Sequence, residues 1–195
     1  MSMLLRWGGG LLLAAMGLLL PAARAAAQGL PELRPAPAHL SQAYSLSQRL
    51  SVWRLDAPQA PPQVVDVQLE LDREALRLAG FALGQRVLML VWDGRALQVQ
   101  RHPRLPAEVD VARMLRDLCL VYWPAAALRA ALPAGWTLEE GGDDPLWQRR
   151  LLQDGQPRLS LGWRGVLAGD SRIEILNPTE HYRLIIESRP AGDAP

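Results

Sequence analysis

The stretch Val87-Leu88-Met89-Leu90-Val91-Trp92-Asp93-Gly94-Arg95-Ala96-Leu97-Gln98-Val99-Gln100 decides how this chain folds. Asp-Gly between two apolar runs is a strong signal for a two-residue β-hairpin turn. Such a turn pairs Trp92 with Arg95, Leu90 with Leu97 and Leu88 with Val99. Residues directly opposite share a face. Leu88, Leu90, Trp92, Leu97 and Val99 then form one apolar face, with Gln98 and Gln100 on the other. Val87, Met89 and Val91 point away from that face, so the first strand is apolar on both sides. A helix, a leader segment or a partner is needed to cover its second side.

Upstream, Val65, Val67, Leu69 and Leu71 alternate with Asp66, Gln68, Glu70 and Asp72. This period of two marks a strand with one buried and one wet face. A turn over Asp72 to Ala75 returns the chain through Leu76 and Leu78. Ser45 to Leu55 reads as an earlier strand, and the prolines between Ala57 and Pro62 make a loop. Downstream, Pro103 and Pro106 end the hairpin. Asp110 is a good N-cap for a helix carrying Val111, Met114, Leu115, Leu118, Val121 and Tyr122 at helical spacing, with Arg113, Arg116 and Asp117 on its polar side. Pro124 breaks that pattern, and Ala125 to Leu132 is a second short helix. Strands resume over Trp136 to Glu140, Leu146 to Gln153, Arg158 to Trp163, around Ile173 and Ile175, and around Tyr182, Leu184 and Ile186. The fold class is mainly β: a curved antiparallel half-barrel of about ten strands with a two-helix lid, Asp110 to Leu132, inserted mid-chain. A sheet of this length has to curl or close.

The N-terminus has the parts of a secretory signal over residues 1–27: Arg6, the apolar run Leu11 to Leu20, Pro21, then small residues that place cleavage near Ala25 or Ala27. The run is shorter than the roughly 20 residues of a spanning helix. Residues 28–43, rich in Pro and Ala, read as an extended leader or linker. Residues 44–189 form one domain, and 190–195 a disordered tail. Loss of Arg6 and Arg24 turns the formal net charge from +1 to about −1. A near-neutral chain without a basic cluster argues against nucleic acid as a partner. The single cysteine, Cys119, lies in an apolar helical run and reads as a buried structural thiol. It is also too far from the signal to carry a lipid anchor.

Catalytic signatures are missing from the sequence. His39, His102 and His181 are far apart and lack a metal-ligand spacing. There is no nucleophile elbow, no His-Glu-x-x-His and no phosphate-cradling glycine loop. Glu139-Glu140 and Asp143-Asp144 read as a solvated hairpin loop. One arginine faces inward in either register of the Asp154-Gly155 turn: Arg150 if the turn has two residues, Arg149 if it carries a bulge. Two roles fit it. The guanidinium either meets a ligand carboxylate or phosphate, or a lid carbonyl, or it lies at the rim with its stem on the sheet and its head in water.

The run Leu115-Arg116-Asp117-Leu118-Cys119-Leu120-Val121-Tyr122-Trp123-Pro124, followed by Leu132-Pro133-Ala134-Gly135-Trp136, resembles a bacterial domain-of-unknown-function family. Its members are often called lipoproteins and accompany aryl-polyene or fatty-acid-synthase-like gene clusters. Ser47-Gln48-Arg49-Leu50, Arg149-Arg150-Leu151 with Asp154-Gly155, and Tyr182-Arg183-Leu184 extend the resemblance over nearly the whole mature chain. The order of hairpins, helical insertion and hairpins is also similar in layout to the LolA/LolB outer-membrane lipoprotein carriers, whose half-barrel holds acyl chains beneath helices. The family resemblance implies no catalytic residues.

The expectation is an exported, periplasmic carrier for a lipid or acylated, polyene-like ligand, without metal or cofactor and with only peripheral or transient membrane contact. Val67, Leu69, Leu78, Leu88, Leu90, Trp92, Leu97, Val99, Leu159 and Leu161 would line its cavity. Met114, Leu115, Leu118 and Tyr122 would form the lid, and Arg149 or Arg150 would meet a head group. The alternative is a non-catalytic factor that docks an envelope exporter or a lipoprotein through a sheet edge or apolar patch. An acyl-ester or thioester hydrolase fits least, for want of a nucleophile and base.

Overall fold

The computed structural model describes residues 29–103, 105, 109–142 and 147–192; the signal segment, the Asp143–Asp144 loop and the last three residues lie outside these. Ten strands form one open, curved antiparallel sheet: β1 (Tyr44–Arg54), β2 (Gln63–Leu71), β3 (Leu76–Ala82), β4 (Gln85–Trp92), β5 (Leu97–Arg101), β6 (Trp136–Gly141), β7 (Trp147–Gln153), β8 (Gln156–Gly165), β9 (Ser171–Asn177) and β10 (Tyr182–Pro190). Their order is β5-β4-β3-β2-β1-β10-β9-β8-β7-β6. The sheet is therefore two hairpin meanders joined at one seam, where the first strand pairs with the last, Leu50 opposite Ile186 and Val52 opposite Leu184. The two free edges, β5 and β6, are consecutive in the chain. Helices α1 (Val111–Tyr122) and α2 (Ala125–Ala131) connect them across the concave face.

The alternation in β2 does what its period demands. Val67, Leu69 and Leu71 are buried while Asp66, Gln68 and Glu70 are exposed. Asp110 caps α1, its carboxylate accepting from the backbone N–H groups of Ala112 and Arg113. Trp123 ends α1 in an extended conformation, φ −79° and ψ 146°, as the residue before a proline prefers. Leu115, Leu118 and Leu120 of α1 share a single core with inward residues from both halves of the sheet.

Three local readings are corrected. The β4–β5 turn has four residues, not two: Trp92 pairs with Leu97, and Leu90 with Val99. The Asp93 carboxylate causes this by accepting from the backbone N–H groups of Arg95 and Ala96, which opens the loop. The shift by two preserves the faces but carries Val99 out to 39 % exposure, beyond the core. At the other end, Asp154-Gly155 is a two-residue turn, yet a bulge between Leu151 and Leu152 shifts the pairing, so Arg149 lies opposite Leu161 and faces inward. Arg150 faces outward towards Glu139, at 3.6 Å. Finally, Arg116 and Asp117 are buried rather than on a wet helix face, at 4 % and 3 % exposure.

The leader packs onto the domain and carries one short 3-10 turn, Pro37–His39. Leu33 is fully buried, and Leu30, Pro35, Pro37 and Leu40 are buried with it. Two indole N–H groups hold its backbone, Trp92 to the Pro35 carbonyl at 3.2 Å and Trp123 to the Ala36 carbonyl at 3.0 Å. Gly94, at φ +90°, permits this approach. A Cβ there would stand 3.1 Å from Pro37 Cδ and 3.2 Å from Ala36 Cβ.

Candidate functional site

Between α1 and the concave face, near the β1–β10 seam, lies an apolar cleft of about 110 Å³. Leu50, Val52, Val65, Leu184 and Ile186 of the sheet form its floor, and Met114 and Leu118 of α1 its roof. Gln63, Val109, Asp110 and Arg113 stand around it, with Asp117 and Tyr182 also in the lining. Leu50, Leu118, Leu184 and Ile186 are buried, whereas Val52, Val65, Val109, Met114 and Arg113 are partly exposed, so the cleft opens towards the N-terminus of α1. The volume is below the roughly 300–1,000 Å³ of a pocket for a drug-sized ligand. It fits the end of an aliphatic chain. Of the larger depressions elsewhere, one is lined by polar groups such as Arg49, Asp66 and Glu187, and another mixes Leu161, Trp163 and Leu176 with Arg164, Arg172 and Glu174.

A buried charge cluster adjoins the cleft. Arg116 donates to both oxygens of Glu180, at 2.7 and 2.8 Å, to Asp117 Oδ1 and to the Tyr182 hydroxyl. The Tyr182 hydroxyl donates to Asp117 Oδ2 in turn. Burial pushes Asp117 upward and Arg116 opposes it. Burial also works to raise Glu180, but the hydrogen bond and charge of Arg116, with the charge of Arg113, outweigh it and hold Glu180 low. Removing one member of such a buried network exposes the uncompensated charge of another. Helical spacing alone could not reveal the cluster, because Glu180 comes from the distant β9–β10 turn and Tyr182 from the start of β10.

At the other end of α1 a second polar network ties the helix to the seam. Gln48 Nε2 donates to the Tyr122 hydroxyl at 2.7 Å and to Ser188 Oγ at 2.8 Å. Burial raises the Tyr122 hydroxyl to about 12. Burial likewise pushes the Cys119 thiol up, which leaves it a poor nucleophile.

The cavity residues expected from the sequence are on the helix-facing side of the sheet, but most serve as core. Val67, Leu69, Leu78, Leu88, Leu90, Leu159 and Leu161 are no more than 3 % exposed and Trp92 is 7 %. Leu97 is half-buried at the edge. Met114 and Leu118 of the lid do line the cleft, while Leu115 is packed into the core and Tyr122 is held in its hydrogen bonds. Arg149 contacts lid carbonyls, its Nη1 donating to Leu120, Val121 and Trp123, while its Nε donates to Glu140 at 2.7 Å. Those bonds commit Nε and Nη1 to the protein's own groups, and Arg150 points away from the concave face towards Glu139. The cleft residues Leu50, Val52, Val65 and Leu184 lie outside the cavity set expected from the sequence. Their period-two pattern marks the buried face without showing which part of it the helices leave uncovered.

The family model described as Protein of unknown function (DUF3261) matches residues 45–190. The chain belongs to the DUF3261 family. The DUF3261 match runs from the second residue of β1 to the last of β10, so it takes in both meanders, the helices and the cleft. The packed leader lies before it. No curated protein matches the chain.

Proposed function

We propose that this DUF3261 protein is an exported, periplasmic binding protein that takes an acyl chain of a lipid or acylated ligand into the cleft beneath α1. The observation that carries this reading is the cleft itself, apolar on floor and roof and open at one end of the sheet. Binding of this kind needs no catalytic group, since delivery depends on different affinities in different conformations. Leu55, Val64 and Leu83 are exposed at the sheet end where the cleft opens, a surface suited to brief contact with a lipid layer. The resemblance in layout to lipoprotein carriers, and to proteins of polyene-lipid gene clusters, agrees with such a ligand. Lipid extraction and mass spectrometry of protein purified from the periplasm tests it. Stoichiometric acyl species are expected; protein that stays empty after incubation with membrane extract would overturn the reading.

A second reading, docking to an envelope exporter or lipoprotein, is favoured by β5. This edge strand exposes Gln98, Val99 and Gln100, whereas the opposite edge is covered where Arg129 Nε donates to the Leu138 carbonyl.

A further inference from the structure

Arg113 is the one cationic residue lining the cleft, and it meets Glu180 as an ion pair at Nε. Its Nε lies 3.0 Å from Glu180 Oε2, but at no hydrogen-bonding angle, and Nε is left buried without a hydrogen-bond partner. No hydrogen bond reaches its terminal nitrogens from the described residues. The guanidinium carbon stands 5.3 Å above the Tyr182 ring, which fixes the group by a cation–π contact. The acids around it are engaged. Glu180 already accepts both terminal nitrogens of Arg116 and the Asn177 amide. Asp117 accepts from Arg116 and Tyr182, and Asp110 Oδ1 caps the helix.

A planar cationic fork with free donors, beside an apolar slot, is the complement of a single aliphatic chain ending in a carboxylate. We propose that Arg113 recognises the carboxylate of a free fatty-acid-type ligand whose chain enters between Met114 and the Val52–Val65 floor. This rests on the acyl-binding reading above and adds the chemical class of the ligand. A carboxylate accepts two parallel N–H bonds from a guanidinium, which an alcohol of the same chain length cannot do. The arginine that faces inward from β7 is occupied by the lid, so head-group recognition falls to the helix that roofs the cleft.

Methyl-¹³C-methionine NMR reads this out in the intact protein, because Met114 lines the cleft and Met89 lies on the opposite face of the sheet. Titration with octanoate should shift Met114 and spare Met89, with an affinity about tenfold above that of 1-octanol. Arg113→Gln should bring octanoate down to the octanol value, and Arg113→Lys should keep part of the preference. Equal affinities for octanoate and octanol in the parent protein, or an unchanged preference in a folded Arg113→Gln, would overturn the role of Arg113 while leaving acyl binding intact. Should neither compound move Met114, acyl binding itself fails and the proposal fails with it. The parent comparison decides even if Arg113→Gln does not fold.

Discussion

Arg149 Nη1 donates to the Trp123 carbonyl at 2.9 Å, so a strand of the C-terminal meander holds the C-terminal end of α1. The same nitrogen also serves the Leu120 and Val121 carbonyls, and Glu140 balances the charge. Carbonyls at a helix end have no partner within the helix, and here a single guanidinium supplies one.

Arg149→Met should therefore cost about 3 kcal/mol, because it leaves Glu140 and the helix carbonyls without their donor. Arg149→Lys should recover only part, since one ammonium cannot reproduce the fork. Urea denaturation measures both. A Lys variant as stable as the parent would show that charge alone is enough.

Leu83 occupies the left-handed region at φ 51° in the Leu83-Gly84 turn and is fully exposed. A branched side chain there costs roughly 1–2 kcal/mol, whereas asparagine tolerates the conformation. Leu83→Asn is expected to raise the urea midpoint, with a gain of about 1 kcal/mol. An unchanged or lower midpoint would count against the turn geometry.

Stability should fall steeply above pH 10. Burial raises Tyr122 from 10.0 to about 12 in the folded protein, and Tyr182 shifts in the same direction. Between those values the unfolded chain releases the Tyr122 proton while the folded chain keeps it, so each pH unit removes about 1.4 kcal/mol per tyrosine. Below pH 10 both states hold the proton and nothing is lost. Tyr122→Phe should flatten the pH 10–12 slope by one proton's worth. Identical slopes in variant and parent would refute this assignment.

Leu115 and Met114 are neighbours with separable roles. Leu115 is fully buried, so Leu115→Ala should cost roughly 2–5 kcal/mol and leave octanoate affinity nearly unchanged. Met114→Ala should do the reverse, costing less stability because Met114 is only partly buried but weakening octanoate binding severalfold. Thermal melts and NMR titrations of both variants check the contrast.

The sheet was readable in the sequence because its signals are local. Alternation over Val65 to Leu71 gives the faces, Asp-Gly pairs give the turns, and Asp110 with Pro124 frames α1. What escaped depends on partners far away in the chain or on one hydrogen bond more. The Asp93 carboxylate lengthens its own turn, and a bulge at Leu151 decides between Arg149 and Arg150. The leader looks like a linker by its prolines, yet Trp92 and Trp123 pin it. Arg113 and Arg116 are close on one helix and alike in pattern. Only the β9–β10 turn tells them apart: its Glu180 takes both terminal nitrogens of Arg116 but meets Arg113 at Nε alone.

The seam between β1 and β10 gives the domain a late closing step. Gln48 and Ser188 are 140 residues apart and bond across it, whereas every other pair of adjacent strands is consecutive in the chain. Each meander can zip from its turns as it is synthesised, but β1 waits for the last strand to arrive, and long-range pairing of this kind is slow. Until then one long edge of β1 stays open to wrong partners. A chain emerging N-terminus first from a ribosome therefore carries one unpaired edge of β1 throughout the synthesis of every later strand, and only β10 closes it.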